Sequence, residues 1–201
     1  MHKIDFGIYI VHAAFWGAFG VTLLVLRLLG GKSAGPSGPA PLAKEEKIAP
    51  YSRVLLVFHM VAFFTMYFGV GQAVFTSRVP AWFPGQRLAG CVVIASGAVL
   101  MDWTLIFFRS WRVRAKVDTG HELATGGPFR FLRHPIYMGL NLLALGTAIW
   151  IPTAVVWTGF GLMVIGSDLR GRAEEAILYN AFGAAYREYC TRTRRFLPGI
   201  Y

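Results

Sequence analysis

An all-α, polytopic membrane helix bundle is the fold class this sequence predicts, and three observations predict it. The chain is 55% hydrophobic and only 15% charged, against roughly 25% charged residues in an ordinary soluble domain. Its apolar residues gather in runs long enough to cross a ~30 Å hydrocarbon core at about 1.5 Å per residue. Its 20 Lys and Arg crowd into the segments on one side of those runs, the bias that orients membrane proteins. A length of 201 residues suits one such bundle.

The first apolar run covers about residues 6–29. Its start has one lysine, an early aspartate and no Ala-x-Ala-like site, so it reads as a retained span rather than a signal peptide. Residues 30–50 are a Gly/Pro/Ala/Ser linker with a short charged patch, which predicts a flexible loop. A second span occupies about 54–76, and the loop after it offers Trp82 and Phe83 as an interfacial anchor. The third span runs from about 88 to 108, where Arg109 and Trp111 mark the headgroup region. Residues 136–166 are apolar for 31 positions, broken near the middle by Trp150-Ile151-Pro152. That predicts spans four and five as a tight hairpin of short or tilted helices, each about 15 residues or roughly 23 Å long. The last segment predicts a cytoplasmic C-terminal helix. Ser167 or Asp168 caps it, Leu178, Phe182, Ala185 and Tyr189 recur at helical spacing, and Pro198 closes it.

With the N-terminus outside and about five crossings, 17 basic residues lie inside against 3 outside. A single span at 136–166 weakens the bias to 11 against 9, so the hairpin is preferred. Topology thereby accounts for the net charge of +10, and no nucleic-acid partner is needed; the basic rim suits anionic lipid headgroups. Cys91 and Cys190 form neither a ligand cluster nor a disulfide framework. Within the spans, His12 and His59 are expected to sit neutral and hydrogen-bonded between helices, and no metal site is expected. Asp102 either faces the site or pairs with a neighbour. Gly69 and Gly71, and Gly159 and Gly161, predict close helix packing. The chain divides into 1–87, two spans and linkers, and 88–201, the region that carries the chemistry.

That chemistry centres on GHELATGGPFRFLRHPIYMG, residues 120–139, a polar and turn-rich stretch between apolar regions. Arg130, Arg133, His134 and Tyr137 lie where it enters span four; Arg170, Arg172, Glu174 and Glu175 lie where span five ends. The hairpin makes those two ends neighbours on the cytoplasmic side. Cations and carboxylates converging beside an apolar crevice suit a small zwitterion with an apolar or aromatic body; a solvated rim of ion pairs is the bland alternative.

The segment from Ser110 to Gly139, followed by Arg172-Ala-Glu174-Glu175 and then FGAAYREYCTRTRRFLPG, closely resembles the isoprenylcysteine carboxyl methyltransferase family, which is related to the membrane phospholipid N-methyltransferases. The resemblance covers roughly residues 88–199 and is to the short prokaryotic form. It implies an integral membrane enzyme that uses S-adenosylmethionine from the cytosolic side and methylates a carboxylate of a lipophilic small molecule or lipid. Carried onto this chain, it implies cofactor contacts at His121, Leu123, Gly127, His134, Tyr137, Gly139, Glu174 and Glu175. It also implies Arg133 and Arg192 near the acceptor as catalytic residues, with Arg194 and Arg195 as alternatives to Arg192. Phe129 stands where the family usually has Tyr, and Gly126-Gly127 where a single glycine is more usual.

A glutamate would pair with the cofactor's ammonium and Arg133, His134 or Tyr137 with its carboxylate. The adenine would lie against apolar side chains such as Phe129. One glutamate could instead serve a helix ion pair, since Arg170 stands four residues before Glu174. A carboxylate acceptor is already ionised and needs no general base, so positioning and desolvation carry the rate. Lower-ranked readings are a lipid amine N-methyltransferase, a nicotinamide-dependent membrane reductase related to sterol reductases, and a non-catalytic membrane scaffold.

Overall fold

The computed structural model describes residues 6–28, 47–48, 51–108, 116–117 and 123–197. They form six α-helices: α1 (Gly7–Leu28), α2 (Ser52–Phe75), α3 (Gln86–Phe108), α4 (Pro135–Trp150), α5 (Ala154–Phe182) and α6 (Ala184–Arg192). Two strands of two residues, β1 (Lys47–Ile48) and β2 (Lys116–Val117), pair antiparallel beside α5. Helices α1, α2 and α3 are each long and apolar enough to cross a membrane, and α4 is apolar but shorter. Large apolar side chains such as Ile10, Phe64, Phe68, Leu88 and Val99 stand exposed on these helices. A surface of that kind calls for a lipid or protein cover.

Glycines set the helix registers. A Cβ on Gly90 would come within 2.6 Å of the Gly146 carbonyl oxygen, and one on Gly97 within 2.7 Å of the Gly139 carbonyl oxygen. These pairs hold α3 and α4 antiparallel with their backbones touching, the close approach that small residues permit. On the other side of the bundle Gly69 packs against Val155 and Val156, Gly159 against the Met66 backbone, and Gly166 against Phe58 and His59. Helices α2 and α5 are thereby antiparallel too. Of the four glycines expected to allow packing, Gly69 and Gly159 do so. Gly71 and Gly161 face open space or a distant hydroxyl.

The apolar stretch at 136–166 is broken at Ile151–Thr153, where Thr153 caps α5 by accepting from the Val156 N–H at 3.4 Å. The expected start of a separate helix at Ser167 or Asp168 is not found. Helix α5 runs unbroken through both residues for 29 residues, about 44 Å at 1.5 Å per residue. Neither side chain is free to cap. Ser167 Oγ donates to Asn141 Oδ1 at 2.8 Å, and Asp168 accepts from Arg172 at 2.6 Å and from Arg195 at 2.9 Å. The break falls instead at Gly183, whose φ of +55° favours glycine. On either side of it Phe182 and Tyr189 pack with Leu123, Ile177 and Tyr186 in a second apolar cluster, against which Leu178 and Ala185 rest. Pro198 lies outside the described residues.

The intramembrane histidines bridge helices as expected. His12 reaches Tyr67 on α2 and Thr147 on α4, each at 2.9 Å, and His59 Nε2 lies 3.4 Å from Ser167 Oγ. Asp102 has one carboxylate oxygen with no hydrogen-bond partner among the described residues. Trp82 and Phe83 are exposed, and Trp82 stacks on Trp157 with ring centroids 6.1 Å apart.

Candidate active site

The turn that leads into α4 is built by its glycines and prolines. Gly127 has φ of +55°, and the Phe107 ring lies so close over Gly126 and Gly127 that neither position has room for a side chain. Pro128 then opens a 3-10 turn over Gly127–Arg130. Pro135 opens α4 at a position whose N–H would have no helical partner. The residue before a proline is pushed out of the helical region, so His134 sits at φ −128°, ψ 63° as the N-cap of α4. Its ring is therefore turned toward α5 rather than along α4.

What His134 meets there is a pair of carboxylates. Its Nδ1 lies 3.4 Å from Glu174 Oε2 and its Nε2 lies 3.3 Å from Glu175 Oε1. Glu175 also accepts from Arg133 Nε at 2.8 Å and from Arg195 through Nε at 3.0 Å and Nη2 at 2.6 Å. Arg195 Nη1 continues to Asp168 at 2.9 Å, and Asp168 to Arg172 at 2.6 Å. Glu174 accepts instead from the Tyr137 hydroxyl, and the Arg170 guanidinium carbon sits 5.1 Å from the centre of the Tyr137 ring. Gly171 leaves the gap on α5 into which His134 and the Arg195 stem fit, each 3.3–3.4 Å from where a Cβ would be.

The C-terminal strap closes the arrangement. Residues 193–197 run beside the turn, with Arg133 N–H donating to the Arg194 carbonyl at 2.8 Å and His134 N–H to the Arg195 carbonyl at 3.2 Å. Arg133 Nη1 donates to the Thr193 carbonyl at 2.6 Å, Tyr189 donates to the Phe129 carbonyl at 2.7 Å, and the Phe196 ring lies 6.0 Å from that of His134.

These contacts decide the charge of His134. Burial alone would lower its pKa from 6.5, but hydrogen bonds and charges from Glu174 and Glu175 outweigh burial and raise it. Glu175 moves the other way. Burial raises a carboxyl pKa, yet His134, Arg195 and Arg133 together hold this one well below its ordinary 4.5. Stability from a raised histidine is complete below pH 6.5 and is lost as pH climbs through the folded value. Stability from a depressed carboxyl is complete above pH 4.5 and is lost as pH falls toward the folded value. The thermal midpoint in detergent is therefore expected to fall on the alkaline side of pH 6.5 and on the acid side of pH 4.5. In His134→Gln the alkaline fall should flatten. An unchanged alkaline fall in that variant would show that another group causes it.

Of the site residues expected from the sequence, the structure brings together Arg133, His134, Tyr137, Glu174 and Glu175. Leu123 and Gly127 lie on the flanking turn; Leu123 is buried in the second apolar cluster. Gly139 is turned away, packed against Gly97 and Met101 of α3. Arg192 is also outside the cluster, exposed at the end of α6 and paired with Glu188 at 3.3 Å. His121 lies outside the described residues. Sequence reasoning did not place Asp168, Gly171 or Thr193 here, and it named Arg195 only as an alternative to Arg192. One signal for Arg195 was available, since in an extended tail alternate residues share a face; Arg194 is exposed while Arg195 points inward.

Comparison with known proteins agrees with the resemblance. The model of the phospholipid methyltransferase family matches residues 86–185. The fission yeast Schizosaccharomyces pombe has a protein-S-isoprenylcysteine O-methyltransferase that is 28% identical over 93% of this chain and 68% of its own length. The human protein of that name is 34% identical over 42% of this chain and 30% of its own length. An Arabidopsis thaliana protein, protein-S-isoprenylcysteine O-methyltransferase A, is 27% identical over 55% of this chain and 58% of its own length. The match thus spans less than two thirds of the human and Arabidopsis proteins.

Proposed function

Because this chain is related to the phospholipid and isoprenylcysteine methyltransferases, we propose that it is an integral membrane methyltransferase that uses S-adenosylmethionine and esterifies a carboxylate on a lipophilic acceptor. We read it as crossing the membrane five times, with the N-terminus outside, α4 and α5 as the last two crossings, and the site on the cytoplasmic face. The bias of 17 basic residues against 3 supports that orientation. The antiparallel registers of α3 with α4 and of α2 with α5 support the alternation of direction that five crossings require.

The residues present fit the cofactor. Its methionine end carries an ammonium and a carboxylate, and the cluster offers a carboxylate and cations within one turn of helix. Glu174 is the carboxylate suited to the ammonium, because its side chain is 22% exposed and Tyr137 and His134 leave lone pairs open. Arg133, bound to Glu175, and Arg170, beside the Tyr137 ring, are the cations that would pair with the cofactor's carboxylate. Phe129, only partly buried against the second apolar cluster, would supply apolar surface for the adenine. When bound, the cofactor supplies a methyl group on a positively charged sulfur.

The observation that carries the choice of acceptor is His134 held between two carboxylates. Both ring nitrogens face oxygen acceptors, so the ring is a charged donor and not a base. An amine acceptor must lose a proton; a carboxylate need not. What the chain's own groups do is orient the cofactor and acceptor, exclude water and leave the acceptor oxygen poorly solvated. A second reading, transfer to the amine of a phospholipid, is favoured by the name of the family model. Titration calorimetry of the detergent-purified chain with S-adenosylhomocysteine is expected to show saturable binding. Absence of heat with that compound, together with binding of NADPH, would sink the methyltransferase reading in favour of a reductase.

A further inference from the structure

We propose that Arg195 is a positioning residue whose forked contact with Glu175 and main-chain contact with His134 set the geometry of the cofactor site. The inference rests on the cofactor reading above, but it concerns a residue beyond the 86–185 match of the family model.

An ionised carboxylate has about four lone-pair sites. Among the described residues four nitrogens approach Glu175: Arg133 Nε, His134 Nε2 and Arg195 Nε at Oε1, and Arg195 Nη2 at Oε2. Three of these nitrogens crowd Oε1 and one engages Oε2, so Glu175 is committed chiefly to holding its neighbours in place. Arg195 supplies two of the four contacts, in the bidentate form that fixes both distance and angle. It is itself aimed by Asp168, which takes its remaining terminal nitrogen at 2.9 Å. Its carbonyl accepts the His134 N–H at 3.2 Å. One residue thus holds the histidine by its backbone and that histidine's carboxylate partner by its side chain. Arg192, three residues earlier, pairs with Glu188 on the exposed face of its own helix.

The consequence reaches the ligand through Glu174. His134 Nδ1 is shared with Glu174 Oε2, so a His134 ring that rotates when Glu175 is released takes an orienting contact from the carboxylate proposed to hold the ammonium. Among the described residues, the charged and titratable groups around that ring are Glu174 and Glu175 from α5, Arg133 from the turn, Tyr137 from α4, Arg195 from the strap, and Arg170 and Asp168 behind them.

The test uses the full chain in detergent micelles with two readouts: affinity for S-adenosylhomocysteine by calorimetry, and the titration of His134 by ring NMR. Arg195→Gln removes both the fork and its charge; Arg195→Lys keeps a charge and loses the fork. Arg195→Gln is expected to weaken binding by about tenfold or more and to move the His134 midpoint upward, because a cation competing for Glu175 is gone. Arg195→Lys should keep the midpoint near wild type yet recover only part of the affinity. Wild-type affinity together with a wild-type midpoint in Arg195→Gln would overturn the proposal. If Arg195→Gln does not fold, Arg195→Lys decides alone: weakened binding at an unchanged midpoint supports it, and wild-type binding overturns it. Should the unmodified chain bind no S-adenosylhomocysteine, the cofactor reading falls, and the NMR comparison still judges Arg195. A midpoint moved by Gln and not by Lys supports its role, and one moved by neither overturns it.

Discussion

Glu175→Gln is expected to cost the protein about 3–5 kcal/mol of stability, the range for removing one partner of a buried ionic group. Arg133 and Arg195 are only 13% and 14% exposed, so both, with His134, would lose the charge they share, with Asp168 still beside Arg195 and Glu174 beside His134. The neighbouring change, Glu174→Gln, should behave differently. Its side chain is more open and keeps an oxygen to accept from Tyr137, so folding should survive. Binding of S-adenosylhomocysteine should weaken by about 10- to 100-fold, the scale of one hydrogen bond to a charged group. Thermal melts and calorimetry on both variants check the pair. Equal losses of stability in the two would show that the adjacent glutamates share one structural role.

The second large effect lies inside the bundle. Gly97→Val and Gly146→Val each push a side chain into backbone: the Gly139 carbonyl is 2.7 Å from the first new carbon, and the Gly90 carbonyl 2.6 Å from the second. Helix propensity would favour replacing glycine by a fraction of a kcal/mol, but overpacking against backbone costs about 3 kcal/mol, and the clash wins. Gly161→Ala and Gly17→Ala, where a new carbon meets nothing within 4 Å, should be neutral or slightly stabilising. Unfolding midpoints of the four variants in one detergent supply the check. Tolerance of valine at Gly97 would mean that α3 and α4 do not touch as described.

Much of the site was legible because chain connectivity did the work. A helix ending at Trp150 and another beginning at Ala154 bring Arg133–Tyr137 and Arg170–Glu175 to the same end of the bundle, and that follows from the apolar run and its proline. Ser167 and Asp168 misled for a physical reason. Both are good cap residues, yet Asn141 and Arg195 engage their side chains and the helix continues past them. Gly139 sits inside the motif and was read as cofactor-binding, whereas its contacts lie with Gly97 and Met101. No local pattern separates a glycine that admits a ligand from one that admits a helix. Arg195 was hidden among three arginines in four residues; alternation along an extended tail separates it from Arg194, but the pairing of the strap with residues 132–134 is what turns it inward.

Carboxylate methylation is tested most directly by transfer of a radiolabelled methyl group from S-adenosylmethionine by the purified chain to a prenylated cysteine with a free carboxylate. The label is expected to enter the lipid-soluble product and to be released as volatile methanol by mild base, because an ester is base-labile. Label that enters a phospholipid fraction and resists base would contradict the account and identify an amine as the acceptor.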